Sequence, residues 1–385
     1  MKIGLVAFQY HSGVLQMYLA LCAAARHDVV LFTSEPVWRD VRQYYGDQAV
    51  PAGRIVLNTG VDDEAFIHRI AEESGDLDVI LFVEMQSQKR LVWSGFLGED
   101  FRCPVYCGVH DTVREMSLGW EPCWPFGDRG LARLRREAFS RIWGYVVHSP
   151  EIRGDLAPRV APKKVCYLPA YFIDPLFRRN GARRTGPLNV CIIGLYTRAR
   201  RDYALAFRAL QRVLEMGGEA KLTLAGSPAW HDGQQIIRCA ESLNAKHPGA
   251  VTWSGRYLHE NEFRAALEHA DVVLAPVIPP PSRFRLRLGR APEKKRYALD
   301  THITASTYDA IRFQMPVIYP SVYLGRHAPH PGAMVYREPA DLVQLLYRLS
   351  RDRDLLAKHT EDMMQYAPSF APQHFTSALG ELLGG

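Results

Sequence analysis

Residues 282–320 decide the fold class of this chain, and they read SRFRLRLGRAPEKKRYALDTHITASTYDAIRFQMPVIYP. Small and hydroxylated residues between Thr301 and Asp309 predict the start of a helix with accessible backbone N–H groups, which favours an anion. We expect this helix to run to about Gln314 and to stop before Pro316, because proline disfavours helical geometry in the preceding residue. A short buried strand follows. The layout is typical of a phosphate site at the edge of a parallel sheet.

The part of this stretch before the helix is strongly basic. Residues 283–296 contain seven basic residues and one acid, so their excess of positive charge equals the +6 of the whole chain. Such local charge favours an anionic ligand or surface over a general nucleic-acid coat. Long segments of this kind beside a site are usually functional or disordered. Arg283, Arg285 and Arg287 are therefore expected to close over ligand phosphates or to capture an anionic substrate.

Composition sets broad limits on the remaining chain. A length of 385 residues allows two or three domains, and 47% hydrophobic with 23% charged residues is ordinary for a globular protein. Seven cysteines without framework spacing, and no signal peptide, predict a reducing, cytoplasmic location. No stretch approaches the ~20 apolar residues of a membrane span.

Strand and helix patterns alternate along both halves. Strands are predicted at 2–8, 28–33, near 55, 78–83, 103–108, 144–148 and 164–168, and again at 188–194, 220–225, 250–253, 271–276, 316–319 and 333–335. A Pro- and Arg-rich stretch, 169–187, separates the two runs. This pattern predicts an α/β protein with two doubly wound, Rossmann-like domains facing across a cleft, at 1–177 and 178–365. Residues 366–385 are expected to form a helix that crosses back to the first domain.

Further segments resemble one known family over nearly the whole chain. They are Gly194 with the arginines after it, 222–226, 251–256, 270–276 and 304–318 in the second half, and Val109-His110-Asp111 and Val147-His148-Ser149 in the first. Together they resemble GT-B-fold glycosyltransferases of the family-4-like type (glycosyl transferases group 1).

The sequence departs from that family's pattern at five positions. Leu195 replaces the usual arginine, Thr301 and Asp309 replace the two glutamates of Glu-x7-Glu, and Gln314 with Met315 displaces the glycine before Pro316. The signature is therefore degenerate.

The resemblance implies a metal-independent, retaining hexosyltransferase that moves a sugar from a UDP- or GDP-sugar to a hydroxyl. It implies no cofactor. The second domain would hold the donor, and the first a glycan, lipid-linked or small-molecule acceptor. Two alternatives remain open: a nucleotide-sugar epimerase of the same fold, and a non-catalytic binding subunit.

The candidate diphosphate site combines two segments. Gly194 with Arg198, Arg200 and Arg201 precedes a helix, where cations are disfavoured unless an anion is near. Ser306 and Thr307 could donate hydrogen bonds to the same phosphates. Ser306 with Asp309 also resembles a capping box, which would satisfy the helix itself.

The other candidate site residues were chosen from the family resemblance and from their positions at the carboxyl ends of predicted strands. The donor ribose or base would contact Asp309, Arg256 and Pro276. Catalytic candidates in the first domain are His110, Asp111 and Glu84, and the loop after the first strand contributes His11, Ser12 and Gly13. Asp111 could instead cap a helix, and Glu84 could be a surface acid.

Two other features have a weaker functional interpretation. The basic helix at 129–145 could lie on an anionic inner membrane face, although packing on its own domain is the more common role of such a helix. His327 and His330 lack an acidic or cysteine partner, so no metal site is expected. The dinucleotide-binding pattern G-x-G-x-x-G is absent after the first predicted strand of each half.

Overall fold

The computed structural model describes residues 1–8, 12–45, 53–60, 62–85, 90–110, 129–174, 177, 179, 185–198, 201–228, 230–278, 305–324 and 330–384. They form two compact units. The first contains Met1–Tyr171 and the C-terminal segment from Ala371, and the second contains the described residues from Phe172 to Phe370.

A parallel sheet of seven strands forms the centre of the first unit. The strands are β1 Lys2–Ala7, β2 Asp28–Ser34, β3 Arg54–Asn58, β4 Val79–Phe82, β5 Val105–Val109, β6 Gly144–Val147 and β7 Lys164–Tyr167. They pair in the order β3-β2-β1-β4-β5-β6-β7. The helices are α1 Ser12–Ala24, α2 Glu35–Tyr45, α3 Asp63–Glu73, α4 Arg90–Gly98, α5 Arg129–Arg141 and α6 Pro150–Val160.

The second unit repeats this plan with six strands. They are β8 Leu188–Ile193, β9 Ala220–Ala225, β10 Val251–Trp253, β11 Val272–Leu274, β12 Val317–Pro320 and β13 Ala333–Tyr336, in the order β10-β9-β8-β11-β12-β13. The helices are α7 Tyr203–Glu215, α8 Trp230–Lys246, α9 Glu260–His269, α10 Ala305–Arg312, α11 Ser321–Leu324, α12 Pro339–Arg351 and α13 Arg353–Tyr366. The C-terminal helix α14, Thr376–Leu383, belongs to the first unit.

The predicted class of two doubly wound α/β sheets is confirmed. Central strands such as β4 are buried at every residue, because helices cover both faces of a parallel sheet. That requirement produces the continuous apolar runs from which the strands were predicted.

Helix α6 was not predicted, and its signals are local. Ser149 is the N-cap, accepting a hydrogen bond from the Ile152 N–H at 3.1 Å, and Pro150 stands at the first helical position. Pro158 lies within the helix, and this residue together with Gly154 conceals the helical pattern.

Helix α10 ends at Arg312, earlier than expected, and Gln314 then adopts a left-handed conformation with φ of 51°. The Met315 N–H donates to the Ala310 carbonyl at 2.8 Å across this turn. Glycine is the usual residue in such a C-terminal turn. Gln314 stands where the family that the sequence resembles has glycine. The turn still forms, at a local conformational cost.

All strands of each sheet point the same way, so their carboxyl ends share one edge. The strand order reverses between β1 and β4 in the first sheet and between β8 and β11 in the second. Ligands of doubly wound sheets bind at these points of reversal.

Candidate functional site

Two glycines bring strand exits into close contact in the second unit. Gly194, which follows β8, has φ of 95°, a region that side chains disfavour. A Cβ on Gly226, which follows β9, would lie 2.0 Å from the Gly194 carbonyl oxygen. Glycine is required at position 226 because the two backbones touch.

The segment from β8 to α7 holds Arg201 at the reversal point. Arg201 forms an isolated antiparallel bridge with Val277, just beyond β11. The next residue, Asp202, donates its N–H to the Pro276 carbonyl at 2.8 Å, and its side chain caps α7 by accepting from the Leu205 N–H at 2.8 Å. The backbone of Arg201 is thus fixed by its bridge to Val277 and by the hydrogen bond of the following residue to the Pro276 carbonyl.

Arg201 is a buried cation whose hydrogen-bond partners are neutral groups. Only 8% of it is exposed. Its guanidinium donates to the Leu195 carbonyl at 3.3 Å and to the Ser306 hydroxyl at 3.4 Å, and it also hydrogen-bonds the Tyr203 phenol. Among the described residues, no carboxylate comes within 4.0 Å of it. The Asp309 carboxyl acts on Arg201 electrostatically, but burial raises its pKa to about 7 and leaves it partly protonated. Burying a cation that lacks a hydrogen-bonded counter-ion is costly, so this arrangement favours an anion.

Ser306 faces Arg201 at the reversal of strand order between β8 and β11. It is fully buried in the first turn of α10, one residue after the helix begins at Ala305, and its hydroxyl accepts from Arg201. The positive end of the α10 dipole and the Arg201 guanidinium therefore act on one place. The structure brings these two predicted segments together.

The other predicted arginines are engaged elsewhere or lie outside the described residues. Arg198 is 58% exposed and donates to an Asp232 carboxylate oxygen at 2.9 and 3.1 Å. Arg256 pairs with Glu262, whose carboxylate pKa is lowered to about 2 by that hydrogen bond. Arg200 is outside the described residues. Of the predicted arginines that the structure describes, Arg201 is the one whose charge is turned towards Ser306.

Asp309 lies one turn along α10 and is 5% exposed. Burial raises the pKa of this carboxyl to about 7; Arg312 and Arg201 oppose the shift, and Glu260 adds to it. Arg312 is itself buried and ion-paired with Glu260 at 2.9 Å and Asp174 at 3.4 Å. Asp309 is therefore an interior group that is partly protonated near neutral pH.

In the first unit, the predicted strand-end residues share an edge. Glu84 is half-buried just beyond β4, and His110 follows the neighbouring strand β5. The His110 ring lies 4.5 Å from the ring of His148, which follows β6. His148 is fully buried, and its Nδ1 is 3.0 Å from the Leu168 carbonyl oxygen. Sequence reasoning had not proposed His148 as a site residue, although its position after a strand was the available signal.

Of the predicted loop after β1, Ser12 and Gly13 are described, and they form the start of α1. The Ser12 hydroxyl donates to Asp40 at 2.7 Å. A Cβ on Gly13 would lie 2.4 Å from a ring carbon of Tyr171, so glycine is needed there for packing. His11 and Asp111 lie outside the described residues.

Of the two basic elements, helix α5 is described and the basic loop is not. In α5, Phe139 is buried against the core of its own unit, and Trp143 just beyond the helix is 65% exposed. The basic-loop residues Arg283, Arg285 and Arg287, with Thr301 and His327, are outside the described part. Within that part, no helix has the length and apolar character of a membrane span. It also contains no cluster of three or more potential metal ligands.

Comparison with protein-family models found no match, and comparison with curated proteins found none either. Solved structures do match. Sucrose-phosphate synthase from Thermosynechococcus elongatus is 14% identical, with a TM-score of 0.60, and the match covers 99% of this chain and 98% of that one. Anabaena HepE in complex with UDP-glucose is 13% identical, with a TM-score of 0.62, over 100% and 99%.

A third solved structure is a variant of S. aureus TarM in complex with fondaparinux, alpha-GlcNAc-glycerol and UDP. It is 8% identical, with a TM-score of 0.63, and the match covers 100% of both chains. At such low identity these likenesses concern the fold. The two doubly wound sheets and the whole-length matches together establish that this chain has the GT-B fold, as the sequence resemblance implied.

Proposed function

We propose that this protein is a glycosyltransferase that binds a nucleoside diphosphate sugar in its second unit and transfers the sugar to an acceptor hydroxyl. The observation that carries the proposal is the buried guanidinium of Arg201, which faces the Ser306 hydroxyl and has no described carboxylate partner. A diphosphate is an anion of suitable charge for this place.

The chemistry follows from where negative charge develops. When the bond from the sugar to the diphosphate breaks, the leaving oxygen gains negative charge. Arg201 can bind phosphate oxygens with two parallel hydrogen bonds, and the start of α10 adds backbone donors. Preorganised donors in a site that excludes water stabilise such charge effectively. We therefore propose a metal-independent reaction.

Asp309 is proposed as the group that contacts the donor ribose or a sugar hydroxyl. With a pKa of about 7, its carboxyl can accept a hydrogen bond when ionised or donate one when protonated. Arg256 and Pro276 remain proposals for the base. Arg256 would have to leave its pairing with Glu262 to reach a ligand.

For the acceptor we propose the first unit, with Glu84 and His110 at adjacent strand ends. A carboxylate there can orient or deprotonate a hydroxyl, and an imidazole can contact the transferred sugar. A retaining outcome and a glycan, lipid-linked or small-molecule acceptor are the expectations that the family resemblance brings. HepE and TarM, whose structures contain UDP-glucose and UDP, support a nucleotide-sugar donor.

Calorimetric titration with UDP, GDP, ADP and TDP tests the proposal. We expect one of them to bind, and its sugar conjugate to lose the sugar only when an acceptor is present. Turnover of the donor to another nucleotide sugar without an acceptor would favour an epimerase. Binding without any turnover would favour a non-catalytic subunit, and absence of all binding would refute the donor site.

A further inference from the structure

A chain of three polar side chains runs from the first turn of α10 into the core of the second unit. The Tyr319 hydroxyl, on β12, donates to the Thr307 hydroxyl oxygen at 3.0 Å. On its other side the same Tyr319 oxygen lies 3.3 Å from Nε2 of His330. Thr307 stands next to Ser306, so the chain ends beside the proposed diphosphate site.

The His330 ring is held in one orientation. It stacks on the Tyr366 ring at 5.9 Å with an interplanar angle of 13°, and meets the Tyr319 ring edge-on at 5.8 Å. Only 9% of His330 is exposed, and its Nδ1 is buried with no hydrogen-bond partner among the described residues. Burial lowers the pKa of His330 to about 4, so the imidazole is neutral and carries one N–H at neutral pH.

The single proton on each group sets the direction of the chain. Tyr319 has one hydroxyl proton and uses it on Thr307, so its oxygen must accept from His330. That requires the proton of His330 to be on Nε2, which leaves an acceptor at the buried Nδ1. The reverse direction would bury an unpaired N–H at Nδ1, and buried orphaned donors are rarer than under-satisfied acceptors.

The consequence concerns the Thr307 proton. Because the Thr307 oxygen accepts from Tyr319, its own proton is not used on Tyr319 and is available to another acceptor. The Tyr323 hydroxyl lies 3.4 Å from Thr307 Oγ1 and is within reach of that proton when no ligand is bound. An anion at the start of α10 is a better acceptor than a phenol oxygen.

We propose that Tyr319 is a positioning residue: together with His330 it fixes the Thr307 hydroxyl as a hydrogen-bond donor to the diphosphate of the ligand. This inference rests on the proposed function and extends it to residues that touch no ligand. His330 had entered the sequence analysis only as half of a weak metal motif, and Tyr319 only as part of a strand.

The test uses Tyr319→Phe, which removes the hydroxyl and keeps the ring, with Thr307→Val as the direct loss of the donor. Inorganic pyrophosphate is the probe, measured by calorimetry on the full chain. We expect each variant to weaken binding about 5- to 10-fold, the range for one hydrogen bond, and the double variant to weaken it no further. Non-additivity is the signature of one residue acting through the other.

Tyr323→Phe is the matched control. Tyr323 stacks on Tyr319 at 5.2 Å and is also buried, and its hydroxyl reaches Thr307 Oγ1 only as an alternative partner of the Thr307 proton. We expect pyrophosphate affinity to stay within about 2-fold of the parent, since no hydrogen bond to the ligand is lost.

A second measurement is independent of any ligand. The side-chain ¹⁵N shifts of His330 are expected to show the Nε2–H tautomer in the parent protein. An Nδ1–H tautomer, or pyrophosphate affinity unchanged in Tyr319→Phe while Arg201→Met abolishes it, would overturn the positioning role and leave the diphosphate site intact. If the parent binds neither pyrophosphate nor any nucleotide, the proposed function fails and this inference with it.

Discussion

Replacing Arg201 by methionine separates binding from stability. Methionine keeps an unbranched apolar stem of similar length and removes the guanidinium. Arg201 is 8% exposed. Its described hydrogen-bond partners are neutral oxygens at 3.3 Å or more together with the Tyr203 phenol. The substitution should therefore affect folding and ligand binding in different directions.

The magnitudes follow from these contacts. Two charge-assisted hydrogen bonds to a diphosphate contribute about 1.5–3 kcal/mol each, so their loss should weaken binding by at least ~100-fold. The unfolding free energy should stay the same or rise by about 1–2 kcal/mol, because desolvation of this cation is poorly compensated in the free protein. A purely structural arginine would produce the opposite result, with lost stability and retained affinity.

The assay is titration with the nucleoside diphosphate that binds the parent, together with urea unfolding of both proteins. Arg212→Met is the matched control, since Arg212 is an exposed arginine of α7 whose carboxylate partner is Glu215 at 3.1 Å. We expect it to change affinity less than about 2-fold, as such surface pairs contribute about 0–1 kcal/mol. Parent-like affinity in Arg201→Met would refute the assignment of Arg201 to the diphosphate.

Three further predictions concern other positions. The pKa of Asp309 is raised to about 7 in the folded state, so the native protein binds more protons than the unfolded chain between about pH 4 and 7 and loses stability as pH rises through that window. Asp309→Asn should flatten this slope in urea unfolding series, and an unchanged slope would contradict the shift. Gln314→Gly should raise the unfolding free energy by about 0.5–1 kcal/mol, because glycine adopts the observed φ of 51° without strain; a lower midpoint in thermal melts would argue against it. The Lys163 ammonium donates to three carbonyl oxygens at the end of α5, at 2.5 to 2.9 Å, so Lys163→Met should cost about 1–3 kcal/mol, whereas Lys164→Met, which loses one exposed carbonyl contact, should cost less than about 1 kcal/mol by the same measurement.

The sequence predicted secondary structure well where one local signal dominated. The strand Ala220–Ala225 was predicted with the bounds it has, because apolar periodicity and flanking polar residues agree there. Helix α6 was missed because Pro158 opposes the helical pattern, while packing of Ile152 and Leu156 in the core stabilises the helix. Tertiary burial outweighed local propensity.

The candidate site was predictable as a region and not as a set of contacts. Three arginines after Gly194 looked equivalent in the sequence, since all follow the same strand exit. In the structure Asp232 pairs with Arg198, while the bridge to Val277 turns Arg201 inwards. These partners come from separate elements of the unit, so no local pattern could distinguish the arginines.

By itself, the sequence determined that two parallel α/β sheets form, and it predicted anion-binding features after β8 and at the start of α10, because apolar period, proline and glycine act over a few residues. Only the tertiary structure decided which polar groups lose contact with water and which partners they receive. Arg201 and Ser306 are 105 positions apart, and the hydrogen bond between them exists only once β8 and β11 lie side by side. Burial and charge pairing depend on such distant neighbours, and these interactions give the candidate site its chemistry.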